Sequence, residues 1–191
     1  MNPPSPLIFE WPELPPLPQP GEPVLIRVPT PTSRPLARQE LRRALRRVLC
    51  HWSGLVPEQL PLIETVHGPQ WQGNFDGHSL GISFSYCAEA GWIGLVRGCA
   101  IGIDAMQVQP IAEADAVARH YLGPDAEQNI RHSRQPDQTF AFAWTQLEAR
   151  LKCHKQELTE WNEGQTSASA NCTQRHFLFA NRTAIAMAIA H

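Results

Sequence analysis

The chain reads as an α+β protein made of two similar halves. Three observations predict this. The first hundred residues run strand, helix, strands; the remainder runs strand, helices, hairpin; and each half holds one amphipathic helix long enough to cover a small sheet. Each half should therefore be a small, mostly antiparallel sheet packed with helices. The expected organisation is a proline-rich arm over 1–22, a first half over 23–99 and a second half over 100–191. No sequence repeat is clear enough to prove duplication.

The arm comes first. Twelve of the eighteen prolines fall before Leu36, which rules out helix and central strand there and predicts an extended surface segment. Trp11, Leu14 and Leu17 are the residues able to pin it. Pro23–Val28 is rich in β-formers and should be the first body strand. Ser33 then stands before a helix over about 35–52, with Pro35 in its first turn and Gly54 past its end. Leu41, Leu45, Val48, Leu49 and Trp52 make its apolar face, while Arg38, Arg42, Arg43, Arg46 and Arg47 spread over the other side.

From Leu60 to Val108 the texture is β. Strands are expected at 60–66, 80–84, 91–96 and 99–104, with turns at His67-Gly-Pro69, Phe75-Asp-Gly77, Glu89-Ala-Gly91 and Arg97-Gly98. Helices should cover 111–121 and 125–131, separated by Gly123-Pro124. A third runs from Phe140 to Cys153, free of Gly and Pro, with Ala143, Leu147 and Leu151 as its apolar strip. Asn162–Asn171 reads as a polar loop. A hairpin across Asn181-Arg182 should join 175–180 to 183–190.

Composition narrows the function. A net charge of −2 argues against a general nucleic-acid binder, whose affinity comes mostly from neutralising phosphates. The basic character is local, on the first helix, and suits a small anionic ligand or an acidic protein. Five scattered cysteines without a C-x-x-C pair fit free thiols in a reducing compartment. No apolar run reaches the roughly 20 residues of a membrane span, and the N-terminus lacks the order of a signal peptide. A soluble, cytoplasmic, monomeric protein is expected. The histidines form no H-x-x-x-H or H-E-x-x-H pattern, which argues against zinc.

Two stretches carry chemistry. In Ala100-Ile-Gly-Ile-Asp-Ala-Met106, alternation puts Ile101 and Ile103 on one face of a strand and Gly102 and Asp104 on the other. In the Phe140 helix, Trp144, Glu148 and Lys152 lie at i, i+4, i+8 and share one edge. Taken alone, Glu148 and Lys152 are a surface ion pair in the favoured order, worth about 0.2–0.5 kcal/mol.

Taken together, Gly102-Ile-Asp104 and Trp144-Thr-x-x-Glu148-Ala-x-x-x-Lys152, about forty residues apart, resemble the paired signature of the 4′-phosphopantetheinyl transferase superfamily. The likeness is to its surfactin-type branch, in which one chain holds two similar halves. Ile82-Ser-Phe-Ser-Tyr-Cys87 resembles that family's S-H-S strand end, and His67-Gly-Pro69 its G-K-P. The resemblance implies transfer of 4′-phosphopantetheine from coenzyme A to a serine of an acyl or peptidyl carrier protein, with Mg²⁺ as cofactor and 3′,5′-ADP released. It implies Asp104 and Glu148 as metal ligands, Glu148 as base and Lys152 as stabiliser of pyrophosphate charge. Arg34, Arg38, His67, Ser85 and Tyr86 become candidates for holding CoA.

The departures are specific. Met106 stands in place of the family's second acid, Leu147 in place of the lysine before the glutamate, Tyr86 in place of the histidine, and Pro69 in place of the G-K-P lysine. Two rival readings follow. One is a relative that binds CoA or a carrier protein without transfer. The other is an unrelated α+β domain in which Glu148 and Lys152 are only a helix pair.

Overall fold

The computed structural model describes residues 5–88, 90–162 and 171–190. Glu89, in the turn predicted at 89–91, and residues 163–170 of the predicted polar loop lie outside it. The described residues form the mixed α+β class of fold predicted above, with small, mostly antiparallel sheets and four α-helices.

The first sheet has the order β1-β2-β6-β5, from β1 (Leu7–Glu10), β2 (Val24–Pro29), β5 (Leu80–Cys87) and β6 (Ala90–Arg97). Helix α1 (Arg34–Ser53) lies against it and buries Leu41, Leu45, Val48 and Leu49 together with Val24, Ile26 and Ile93. Four such side chains withdrawn from water contribute roughly 1.5–3 kcal/mol each before entropy is charged against them. Gly54 ends the helix in the left-handed region, and its N–H donates to Cys50 O. Ser33 occupies the N-cap position without a side-chain capping bond.

The arm departs from expectation. Leu7–Glu10 is a strand, paired parallel to β2. Proline excludes a central strand, but this stretch holds none, and at the sheet's edge it needs only one partner. The arm then returns across the core, with Trp11, Leu14 and Leu17 packed on it. Trp52 Nε1 donates to Pro15 O at 2.8 Å, and the buried Arg97 donates to Pro18 O at 2.9 Å and Phe75 O at 2.8 Å. A second correction concerns His67-Gly-Pro69. The turn is tighter than predicted, and Gly68 already begins β4 (Gly68–Trp71), paired antiparallel with β3 (Leu62–Thr65).

The second sheet has the order β7-β9-β8, from β7 (Ile101–Gln107), β8 (Cys172–Phe179) and β9 (Thr183–Ala190). Its apolar face (Ile103, Ile185, Met187) meets Leu25, Trp92 and Val96 of the first sheet in a shared core. Two serines stitch β5 to β7: Ile103 N–H donates to Ser83 Oγ at 3.0 Å and Ala105 N–H to Ser85 Oγ at 2.9 Å. Hydroxyl oxygens thus satisfy amides at the edge of β7 turned away from β9.

Helices α2 (Ala114–Tyr121), α3 (Pro124–Arg131) and α4 (Pro136–His154) fill the second half. Helix α2 starts three residues later than predicted, because Glu113 is left-handed at φ 57°. The buried face of α4 also differs from expectation. Ala141, Thr145, Ala149 and Cys153 are buried, whereas Ala143, Leu147 and Leu151 are only half-buried. Small side chains face the sheet because β7 and β9 present Gly102, Ala186 and Ala188 there.

Candidate active site

Gly102 positions everything else. A Cβ at this residue would run into Ala149 O and Cys153 N, so the backbone of α4 rests directly on β7. That contact brings the polar edge of α4 beside Asp104, two residues further along the same face of the strand. Lys152 Nζ donates to Asp104 Oδ1 at 2.6 Å and to Ile103 O at 3.2 Å. Ser85 Oγ donates to the same Oδ1 at 2.9 Å while accepting from Ala105 N. Asp104 is 13% exposed and Lys152 33%, so the pair is partly shielded and stronger than an open surface pair.

Glu148 lies one helical turn before Lys152. Burial pushes its carboxyl pKa up, the Asp104 carboxylate adds to the rise, and the Lys152 ammonium opposes both. Response to both charges places it in the same electrostatic neighbourhood. Trp144, the first residue of that edge, stacks on Phe140 with centroids 6.0 Å apart and meets Tyr121 edge-on at 5.8 Å. It anchors α4 to α2.

The predicted CoA-holding residues fall into separate places. Tyr86, half-buried at the end of β5, has its pKa raised by burial and lowered in turn by Arg42, Arg38 and Arg34. One edge of α1 therefore faces Tyr86. Arg34 and Arg38 are exposed there, and Arg42 is engaged with Glu64 through two hydrogen bonds of 2.7 and 2.8 Å. Ser85 is 2% exposed and bonded to Asp104, so it supports the carboxylate and is placed poorly to touch a nucleotide. His67 is exposed at the β3–β4 turn, where its N–H donates to Thr65 Oγ1.

Met106 packs with Ala118, Ile130 and Phe140 among the helices of the second half. Where a further acid would reach the site, this chain has apolar packing. Among the described residues no group of three His, Cys, Asp or Glu side chains gathers as a metal cage. Two carboxylates do feel one another, Asp104 acting on Glu148, and Asp104 Oδ2 and the Glu148 oxygens have no hydrogen bond from the described residues. Oxygen donors of this kind fit Mg²⁺, which usually takes one or two carboxylates and completes its shell with water and substrate phosphate.

Two carboxylates and one ammonium thus stand where α4 crosses β7. A protein-family model for the 4′-phosphopantetheinyl transferase superfamily matches residues 100–185, the stretch holding Asp104, Glu148 and Lys152. Over that stretch the chain is similar to this superfamily of transferases. A search of curated proteins finds no match. Among the described residues no helix is long and apolar enough to cross a membrane.

Ser85 and Arg42 are the residues whose roles sequence reasoning missed. Alternation along β5 puts Ser83 and Ser85 on one face, which was the available signal. Nothing in the sequence couples Arg42 to Glu64.

Proposed function

We propose that the protein transfers 4′-phosphopantetheine from coenzyme A to a serine of an acyl or peptidyl carrier protein, as a single chain of two halves dividing near residue 100. The observation that carries the reading is the meeting of Asp104, Glu148 and Lys152 at one crossing of β7 and α4. The carrier serine oxygen bonds to the phosphorus bearing pantetheine, the bond to the bridging pyrophosphate oxygen breaks, and 3′,5′-ADP leaves. Glu148, held above the ordinary carboxylate range, is suited to accept the serine proton. Lys152 is positioned to follow the negative charge onto the leaving phosphate, exchanging part of its contact with Asp104. Asp104 and Glu148 would hold Mg²⁺, which supplies charge neutralisation at the pyrophosphate. Ser85 keeps the Asp104 carboxylate oriented.

The Arg34 and Arg38 edge beside Tyr86 is assigned to the phosphates of CoA. The outward arginines of α1, Arg43 and Arg46, suit an acidic carrier surface. Five free cysteines suit a cytoplasmic monomer.

Intact-mass measurement of an apo carrier protein incubated with the chain, CoA and Mg²⁺ tests the reading. A gain of one phosphopantetheine mass, abolished in Asp104→Ala and Glu148→Ala, is expected. The replacement of the second acid by a packed Met106 favours one alternative, a relative that binds without transfer. Its signature is CoA-dependent thermal stabilisation with no mass gain.

A further inference from the structure

Strand β7 has two faces, and the second ends in a cavity that the proposed reaction does not use. Gly102, Asp104 and Met106 turn toward the helices, whereas Ile103, Ala105 and Gln107 turn toward the first sheet. At the end of that shared core, Arg27 from β2 and Arg182 from the β8–β9 turn line one cavity. Gln107, Thr183 and the Cys87 thiol complete its polar lining. Every polar side chain in this set can donate a hydrogen bond, and no carboxylate is among the described residues that line it.

The two arginines are held differently. Arg27 lies over the Phe179 ring at 5.8 Å and donates to Glu10 at 3.1 Å. The ring is itself braced edge-on by Trp92 at 5.0 Å. The guanidinium of Arg182 has no hydrogen bond or ion pair among the described residues. Two alanines on the rim, Ala88 and Ala180, sit in the left-handed region at φ 48° each. That conformation costs a residue with a Cβ roughly 1–2 kcal/mol, and alanine has no side-chain oxygen to offset it. Each is the first residue of a tight hairpin turn, which calls for this conformation and fixes the rim of the cavity.

We propose that this cavity is a binding site for a small oxyanion of the phosphate class, clamped between Arg27 of the first half and Arg182 of the second. Planar guanidinium groups pair with phosphate oxygens through two parallel N–H donors. Gln107 and Thr183 supply neutral donors for the remaining oxygens. A ligand here ties the two sheets together on the side of β7 opposite Asp104. The Asp104 carboxylate contributes, after burial, to raising the Cys87 thiol pKa, so the cavity and the candidate active site feel one another electrostatically. The site is distinct from the nucleotide edge near Tyr86.

Calorimetric titration of the full chain with inorganic phosphate at low ionic strength tests the proposal, the signal of this site being the part that Arg182→Ala removes. Wild type should bind one phosphate. Arg182→Ala should weaken it at least about tenfold, equivalent to about 1.4 kcal/mol, and Arg182→Lys should recover part of the loss. Arg38→Ala should leave it unchanged. Arg182 is exposed in its turn, so these variants fold. Equal titration of wild type and Arg182→Ala, or no wild-type binding at millimolar phosphate, overturns the proposal. If transfer to a carrier is absent while the Arg182-dependent binding persists, the transferase reading fails and this one stands.

Discussion

Helices α1 and α4 each cover one sheet, and they do so by opposite means. Helix α1 stands off on large side chains, with Leu41, Leu45, Val48 and Leu49 filling the space between its backbone and the first sheet. Helix α4 sits down on small ones, Ala149 and Cys153 against Gly102, Ala186 and Ala188. The stand-off removes more apolar area from water, so it contributes more stability per residue. The close approach gives geometry instead. Only with the α4 backbone resting on β7 does a lysine at position 152 reach a carboxylate at position 104. The polar side of α1, held further out, faces solvent with its arginines. One helix chiefly stabilises; the other brings chemical groups together.

The sharpest way to break this comparison is Gly102→Ala. The added methyl meets backbone atoms of α4 that cannot rotate away, so destabilisation of about 3 kcal/mol or more is expected. Urea melts measure it, and a loss under about 1 kcal/mol would mean that the close seat is dispensable. Next is Leu45→Ala in α1, where a fully buried side chain leaves a cavity at a cost of about 2–4 kcal/mol. A cost no larger than a surface substitution, about 0.5 kcal/mol, would contradict the stabilising role of α1.

Ser85→Ala should follow. It leaves the buried Ala105 N–H without its acceptor and removes one donor from Asp104, at about 1–3 kcal/mol by the same melts. Ser85→Cys should recover little, since a thiol is a weak donor and acceptor.

The smallest effect is Glu148→Gln, and its sign is the informative part. The folded protein raises this carboxyl pKa above 4.5, chiefly by burial. The ionised form is therefore disfavoured by folding. The contribution of Glu148 is most favourable below about pH 4.5 and declines as pH rises through the folded value. Glu148→Gln should thus raise the melting temperature at pH 7, and the gain should shrink toward zero below about pH 4.5. A gain that grows on acidification would mean that the lysine outweighs burial.

Much of this architecture was legible in residue pattern. Gly54, Gly123 and the Pro-rich arm marked boundaries by backbone restriction alone, and alternation through 101–104 put glycine and aspartate on one face. The strand within the arm was hidden because its ordering comes from β2, a partner that local composition does not register. The buried face of α4 was misjudged for a related reason. Leucines at 147 and 151 outrank alanine by hydrophobicity, but the sheet beneath α4 has room only for small side chains. The apolar strip therefore lies at the side of the helix.

By itself, then, the sequence determined the class of fold, the polar edge of α4 and the face of β7 that carries Asp104, because helix and strand periods follow from local covalent geometry. The tertiary structure alone decided that the two meet, that Ser85 holds the carboxylate, that Tyr86 faces the arginines of α1 and that Arg27 and Arg182 share a cavity. Each of those depends on distances between elements remote in the chain, set by how closely their side chains allow two backbones to approach.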